Sequence, residues 1–381
     1  MAAFYRSLTV AAPKRFRAAT VRERSYGEEK TMREFVLLMI VVTIASAGEG
    51  NETRYSVSVI EEGEFAAGLR VPGADIGNLL LVEPSFAYKS GDRWRFSTSL
   101  AGVTQTEDTH AQVRVKETYF DLTLGDVDVT VGKKILRWGT GYAFTATGIL
   151  DPPRVATDPT DRLNLYQGRE MVKVDWVSGK HDFTAAWASA GVLDTRRPGM
   201  YDTAAFRYNV LAAGFDTSLI VAHEGGGANF AGANFTRVVG AAVELHGEFA
   251  WRQGAAVLLG GKYTLASGVT FIAEFYTPPN TAYFRPPRMP ASAGRQHYGY
   301  LRAGKSRLRE RPGWKEWGVA ASWVANFDDG SHIAVFDAGR RFGNHFYAYG
   351  HAQAPAGKRG RSEYGAIPYS ALTSIGVTFQ L

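Results

Sequence analysis

Residues Val239–Arg252 read VGAAVELHGEFAWR, and this stretch decides the predicted fold. Its odd positions are apolar or glycine and end in aromatic residues, whereas its even positions are small or charged. A period of two indicates a β-strand, because successive side chains leave opposite faces of the pleat. The run exceeds a usual globular strand of about five or six residues, and a tilted strand crosses a bilayer in about nine to eleven. We therefore predict a transmembrane strand with an apolar face toward lipid and a polar face toward a lumen.

Residues 1–47 have the features of a leader that is removed from the mature protein. Phe35–Ala47 is an apolar run that follows a basic region and ends in Ala45-Ser46-Ala47. This order is typical of a signal peptide, so we expect cleavage after Ala47 and a single β-barrel domain over 48–381. The apolar run is too short for a membrane-spanning helix of about twenty residues.

The composition narrows the class of protein. The net charge of the whole chain is +6, and the leader holds eight basic and four acidic residues. The remaining chain therefore has a net charge near +2, which does not favour nucleic-acid binding. The absence of cysteine excludes disulfides, thiol metal sites and CxxCH haem attachment, and we predict no cofactor. Many glycines and aromatic residues without a second long apolar run favour a β-barrel.

Alternation at period two recurs along the whole chain. We predict an all-β fold, a transmembrane antiparallel up-and-down β-barrel of about sixteen strands, with fourteen to eighteen open, because bacterial single-chain barrels take an even number. Gly225–Asn234 is predicted to be a flexible connection. In Val113–Leu124 the apolar face changes from odd to even positions, so either a bulge near Glu117 shifts the register or part of this strand does not face lipid.

Two segments resemble Gram-negative outer-membrane barrels of a porin-like family. The final Gly376-Val377-Thr378-Phe379-Gln380-Leu381 resembles the C-terminal insertion signal of these barrels, carried by Gly376, Phe379 and Leu381, although the family usually ends in Phe. Val131–Gly139, with its Arg-Trp-Gly, and the later Asp151-Pro152-Pro153-Arg154 resemble the strand and loop of poorly characterised porin-like proteins. The resemblance implies a barrel in the cell outer membrane and does not identify a solute.

Residues 137–168 break the strand rhythm and are the candidate constriction. Such a loop can fold into a lumen, where charges of both signs would set the field that a solute crosses. The candidate residues are Arg137, Asp151, Arg154, Asp158, Asp161 and Arg162. The alternative is an extracellular loop with solvated charges. The aromatic residues Trp138 and Tyr142 could stack on a sugar, but an aromatic girdle is the favoured interpretation.

A charged row occupies the even face of the opening stretch. Glu244, His246, Glu248 and Arg252 are predicted to line the pore. Neighbours on one face of a strand lie roughly 7 Å apart, which suits a partial metal site or a proton-titrating patch. A wall wetted by the lumen is the more frequent explanation. Gly299–Ser306 matches the phosphate-binding pattern GxxxxGK[ST], but the required helix is not predicted after it.

Three functions remain open at this stage. The first is a porin-like channel for passive diffusion of small polar solutes, and the second is a barrel sheath around a partner such as a multihaem cytochrome. The third, an outer-membrane enzyme, lacks a recognisable nucleophile set, so no catalytic residue is predicted. Expected partners are outer-membrane lipid, the barrel-assembly machinery, and a second copy of the chain or a periplasmic or cytochrome partner. No nucleic acid is expected.

Overall fold

The computed structural model describes residues 51–67, 76–105, 112–191, 201–278, 296–306, 316–359 and 361–381. The predicted leader, 1–47, and its cleavage point lie outside these residues. No helix in the described ranges is long and apolar enough to cross a membrane.

The described chain forms one closed, antiparallel sheet of eighteen strands. Each strand pairs with its neighbours in sequence, and β1 pairs with β18 to close the ring. The strands are β1 Asn51–Ala67, β2 Ile76–Ser90, β3 Trp94–Gln105, β4 Gln112–Leu124, β5 Val127–Lys134, β6 Arg169–Ser178, β7 His181–Ala188, β8 Thr203–Ala212, β9 Phe215–Glu224, β10 Asn229–Val239, β11 Val243–Trp251, β12 Ala255–Thr264, β13 Thr270–Thr277, β14 Tyr298–Lys305, β15 Trp317–Asn326, β16 Ser331–Phe342, β17 Phe346–Ala356 and β18 Ala371–Gln380. The all-β barrel is confirmed, with eighteen strands rather than the favoured sixteen.

The strand count was too low partly because β10 was assigned to a flexible connection. Asn229–Val239 pairs with both β9 and β11, although its first half consists mostly of small residues. The opening stretch also contains a turn. Gly240 has a φ of +63°, which glycine adopts readily, and Val239 pairs across this turn with Val243. The stretch is therefore the end of β10, a tight turn and β11.

Side chains on the two faces of the wall differ as the alternation predicts. On β11, Leu245, Phe249 and Trp251 point outward and are about half exposed, whereas His246 and Glu248 point inward and are buried. The same outward exposure of large apolar side chains recurs around the ring, from β1 to β18. The wall therefore has an apolar outer surface and a more polar inner surface.

Of the two alternatives for Val113–Leu124, the structure contains the bulge, which lies in β4. Ser99 of β3 pairs with Glu117, but the next residue, Leu100, pairs with Val115, so Lys116 is the additional residue. Because one extra residue shifts the face of all the residues beyond it, Val113 and Phe120 both point outward despite their opposite parity.

The two ends of the barrel differ in the length of their connections. Tight turns such as Gly125-Asp126 and Gly179-Lys180 join strands at the end where the C-terminus lies. At the opposite end, residues 135–168 join β5 to β6 and residues 357–370 join β17 to β18. Both of these loops pack against inward-facing side chains of the wall.

Candidate functional site

The loop formed by residues 135–168, here called the crossing loop, extends across the interior of the barrel. It bonds to Glu62 of β1 and Glu83 of β2, and also to Glu248 of β11 and Glu274 of β13. Nine strands separate β1 from β11 in one direction around the ring and seven in the other, so these contacts lie on opposite walls. The loop must therefore run through the lumen.

Glu248 organises the first half of the crossing loop. One carboxylate oxygen accepts the backbone N–H groups of Thr140 at 2.5 Å and Gly141 at 2.8 Å. The other accepts those of Ala146 at 2.6 Å and Thr147 at 2.7 Å, together with the Thr147 hydroxyl at 3.0 Å. A buried carboxylate is stable only when several donors replace its hydration, and the loop supplies them.

Glu274 binds the loop segment that lies between the two groups of N–H donors to Glu248. Its carboxylate accepts the backbone N–H groups of Tyr142 and Ala143, the latter at 2.8 Å. The His246 ring nitrogen Nε2 lies 3.0 Å from the same carboxylate, with both side chains fully buried. Glu244 lies one step along the inner face and accepts the Tyr142 hydroxyl at 2.9 Å. His246 and Glu248 of the row on β11 are therefore covered and do not face open solvent.

This finding corrects the interpretation of the row as a wetted wall at two of its residues, whereas Glu244 remains partly exposed. The side chains of His246 and Glu248 are not a wetted wall, because the loop covers them. Among the described residues there is no group of three or more His, Asp or Glu side chains that could hold a metal ion. Arg252, the fourth member of the row, lies at the end of β11 and forms an ion pair with Glu224 at 2.5 Å.

Two glycines allow the loop backbone to approach these carboxylates. A β-carbon on Gly139 would lie 3.2 Å from the Glu248 Oε1 atom and would collide with the Thr145 side chain. One on Gly141 would lie 2.7 Å from a Leu258 methyl group and 3.3 Å from the Glu274 Oε1 atom. Only a residue without a β-carbon fits both positions.

Asp151 and Arg154 fix the first turn of the crossing loop. The Asp151 carboxylate accepts the backbone N–H groups of Trp138 at 2.6 Å and Gly139 at 3.1 Å, and burial raises the pKa of this carboxyl. Arg154 donates to the Gly139 carbonyl at 2.8 Å and lies 3.5 Å from Asp151. Both side chains hold the loop in shape.

Asp158, Asp161 and Arg162 connect the second half of the loop to the opposite wall. Arg162 bridges Asp158 at 2.9 Å and the buried Glu62 at 2.6 Å. Asp161 has a φ of +49° and accepts the backbone N–H groups of Leu165 and Tyr166. Burial raises the pKa of the Asp161 carboxyl. The sequence placed these residues in one loop correctly, but their main partners are the loop itself and the wall.

Arg137 differs from the other predicted loop residues because its side chain is exposed. Its guanidinium lies over the Tyr166 ring at 5.6 Å. Trp138, the next residue, corrects the girdle interpretation: it is buried inside the barrel and lies 5.8 Å from the Arg207 guanidinium. Arg137 is thus the most exposed of the predicted loop charges.

A second loop packs into the same end of the lumen and was not predicted. Tyr364 and Ile367 pack against a cluster that includes Tyr300 and Val324 of the inner wall. Glu363 accepts hydrogen bonds from the Tyr298 hydroxyl and the Asn326 amide, both at 2.9 Å. Burial raises the pKa of the Glu363 carboxyl. No charge pattern in the sequence distinguished this loop from an ordinary hairpin connection.

The C-terminal strand places the three predicted insertion residues on different faces. Phe379 points outward, with its ring 4.7 Å from that of Phe346, and Leu381 is exposed. Gly376 points inward, where a β-carbon would collide with the Tyr349 ring. Their role as an insertion signal remains a prediction.

Several solved structures share this architecture, while no protein-family model and no curated protein sequence matches the chain. OccD3 (OpdP) of Pseudomonas aeruginosa superposes with a TM-score of 0.59 at 11% identity, covering 88% of this chain and 92% of that one. OccK11 (OpdR) of the same organism superposes with a TM-score of 0.58 at 10% identity, covering 86% of this chain and 96% of that one. OccAB4 of Acinetobacter baumannii superposes with a TM-score of 0.57 at 7% identity, covering 87% of this chain and 98% of that one.

At such low identities the likeness concerns the fold, and the predicted resemblance to porin-like barrels is confirmed at that level. The protein is a closed antiparallel β-barrel with a loop that crosses its interior.

Proposed function

We propose that this protein is an outer-membrane channel through which small polar solutes diffuse passively. The observation that carries the proposal is the crossing loop, which is bonded to opposite inner walls at Glu62 and Glu248. A loop held at both sides narrows a barrel without closing it, and the groups that line the remaining opening select solutes by size and charge.

In the same proposal, the apolar outer surface of the barrel faces the lipid of the membrane. Large apolar side chains such as Leu219, Leu259 and Leu301 are more than half exposed on the outward face. Exposure of this kind all around a wall is stable against hydrocarbon and costly against water. Most connections at the end with the C-terminus are short, with 306–316 as an exception, and the longest connection, 135–168, lies at the opposite end. This difference is typical of the periplasmic and extracellular ends of such barrels.

The crossing loop also weighs against a sheath around a cytochrome. Leu136, Trp138 and Leu150 of the loop pack against inward-facing residues such as Ile220 and Leu258. A partner threaded through the lumen would have to displace these contacts and the hydrogen bonds to Glu248. The crossing loop therefore occupies the part of the lumen beside these wall residues.

Single-channel recording of the purified protein in planar bilayers tests the proposal. A diffusion channel gives discrete current steps that are proportional to voltage, and liposomes that contain it swell in small sugars more rapidly than in large ones. A folded barrel that produces neither steps nor swelling would favour the sheath.

A further inference from the structure

An apolar groove of about 570 Å³ lies on the outer surface over β11 to β15. Its floor is formed by small outward-facing residues, Gly261, Ala273, Ala303 and Ala321, which pair in neighbouring strands. Its edges include the larger side chains of Leu245 and Trp323. If this surface faces lipid as proposed above, the groove is filled by a hydrocarbon chain, because water would leave the apolar lining unsolvated.

Two cations lie on the outward face below this groove, toward the end of the barrel with the short turns. Lys305 follows Ala303 by two positions on β14 and therefore shares its face. Arg340 of β16 pairs with Trp317 of β15, so an indole lies on the strand between the two cations. Tryptophan at such a position is typical of the headgroup level of a membrane.

Neither cation has a carboxylate partner in the described part of the chain. The Arg340 guanidinium lies 5.7 Å from the Trp317 ring and 4.6 Å from the Phe342 ring. Its Nε atom is buried and has no hydrogen-bond acceptor. The Arg340 side chain as a whole is partly exposed, so its charge, which no carboxylate of the described residues neutralises, is available to an anionic group at the surface. This observation is independent of the groove.

We propose that this surface, the Lys305–Arg340 site, binds one anionic phospholipid of the inner leaflet. An acyl chain lies in the groove and the phosphate accepts hydrogen bonds from Lys305 and Arg340. The inference rests on the proposed outer-membrane location, in which the end with the short turns faces the periplasm. Selection for anionic over zwitterionic lipid comes from the two cations, and we expect roughly a tenfold preference.

The charge arrangement favours a lipid over a second copy of the barrel as the occupant. Two cations that flank an indole lie on the same outward face as the apolar groove and closer to the end of the barrel. This order matches a phospholipid, with its phosphate at the interface and its hydrocarbon in the groove. A second copy would bring the same two cations toward the contact, where they repel each other unless an acidic group accompanies them.

Native mass spectrometry of the full chain, extracted from liposomes with equal amounts of phosphatidylglycerol and phosphatidylcholine, tests the site. We expect one retained phosphatidylglycerol per wild-type chain and at least a fivefold loss in the double variant Lys305→Gln/Arg340→Gln. The groove-filling variant Ala321→Leu should reduce the retention of both lipids. Arg237→Gln is the matched control, because Arg237 is an exposed cation over the Phe215 ring, outside the groove.

The outcomes test the lipid site separately from the proposed channel function. Equal phosphatidylglycerol retention in the wild type and the double variant overturns the proposal, as does a lipid-free dimer in the wild type. Single-channel conductance is recorded on the same preparations. Normal conductance with no retained lipid rejects the lipid site and leaves the channel intact, whereas lipid retention without conductance rejects the channel alone.

Discussion

The carboxylate of Glu248 accepts the backbone N–H of Thr147 at 2.7 Å, although the two residues are 101 positions apart in the chain. Glu248 belongs to the wall and Thr147 to the crossing loop, so this bond attaches a loop without regular secondary structure to a rigid strand. The same carboxylate accepts four backbone N–H groups in all, from Thr140, Gly141, Ala146 and Thr147. Glu248 thus makes the largest set of bonds between the wall and the first half of the loop, beside those of Glu274.

Glu248→Gln should loosen the crossing loop without preventing the barrel from folding. A glutamine has one acceptor oxygen instead of two and no charge, and hydrogen bonds to a charged group contribute about 1.5–3 kcal/mol each. We expect at least a twofold increase in open-channel current noise in planar-bilayer recordings. Asp128→Asn is the control, because Asp128 also points inward and, within the described part of the chain, its side chain bonds to Thr123 rather than to the crossing loop. Equal noise in both variants would show that Glu248 does not position the loop.

Glu62→Gln should weaken the attachment to the opposite wall. Glu62 is buried and bonds both to Arg162 of the loop and to the Tyr349 hydroxyl. Breaking one side of a buried pair costs about 3–5 kcal/mol, and partial exposure of Arg162 places the expected loss near the lower limit. Urea unfolding of the barrel in liposomes measures it. In a double-mutant cycle with Arg162→Met, additive losses would contradict a direct interaction.

Leu219→Arg tests the outward face. Leu219 is 53% exposed near the middle of β9, and an arginine that faces the bilayer midplane costs about 2–4 kcal/mol. Asn209→Arg is the matched control on the inward face of β8, where Asn209 bonds to Ser218. We expect reduced folding into liposomes for the first variant only. Equal folding of both would contradict a lipid-facing outer surface.

Glu363 predicts a pH dependence of stability. Burial raises the pKa of this carboxyl above its ordinary value of 4.5, so the folded protein binds the proton more tightly than the unfolded chain. The stabilisation from this group is complete at pH values below 4.5 and is lost as the pH rises through the folded pKa. Glu363→Gln should remove this loss. Thermal unfolding of both proteins is measured from pH 4 to pH 8. Unfolding temperatures that change with pH in the same way in both proteins would contradict the assignment.

The alternation of faces could be predicted from the sequence because it depends on side chains alone. The outward Leu245 and Phe249 and the inward His246 and Glu248 lie on the predicted faces, and the change of parity before Phe120 revealed the bulge at Lys116. Strand β10 was missed because Ala231–Ala233, with its small side chains, carries almost no signal of a face.

The candidate site was predicted only in part, for a different reason. Arg137–Gly168 was recognised as an irregular segment, but the wall residues that hold it bond mainly to backbone N–H groups, which every residue except proline carries. Sequence patterns therefore could not pair Glu248 with Thr147 or Glu274 with Ala143. The one available signal was Gly139 and Gly141, whose missing β-carbons permit the close approach of the backbone.

The conductance of a loop-shortened variant tests the central claim most directly. Residues 140–166 of the crossing loop are replaced by a short Gly-Ser linker, and single channels are recorded beside the wild type. If this loop sets the width of the pore, the variant should give current steps several-fold larger than those of the wild type, with weaker discrimination between small and large ions. Steps of the same size in both proteins would contradict the proposed role of the loop.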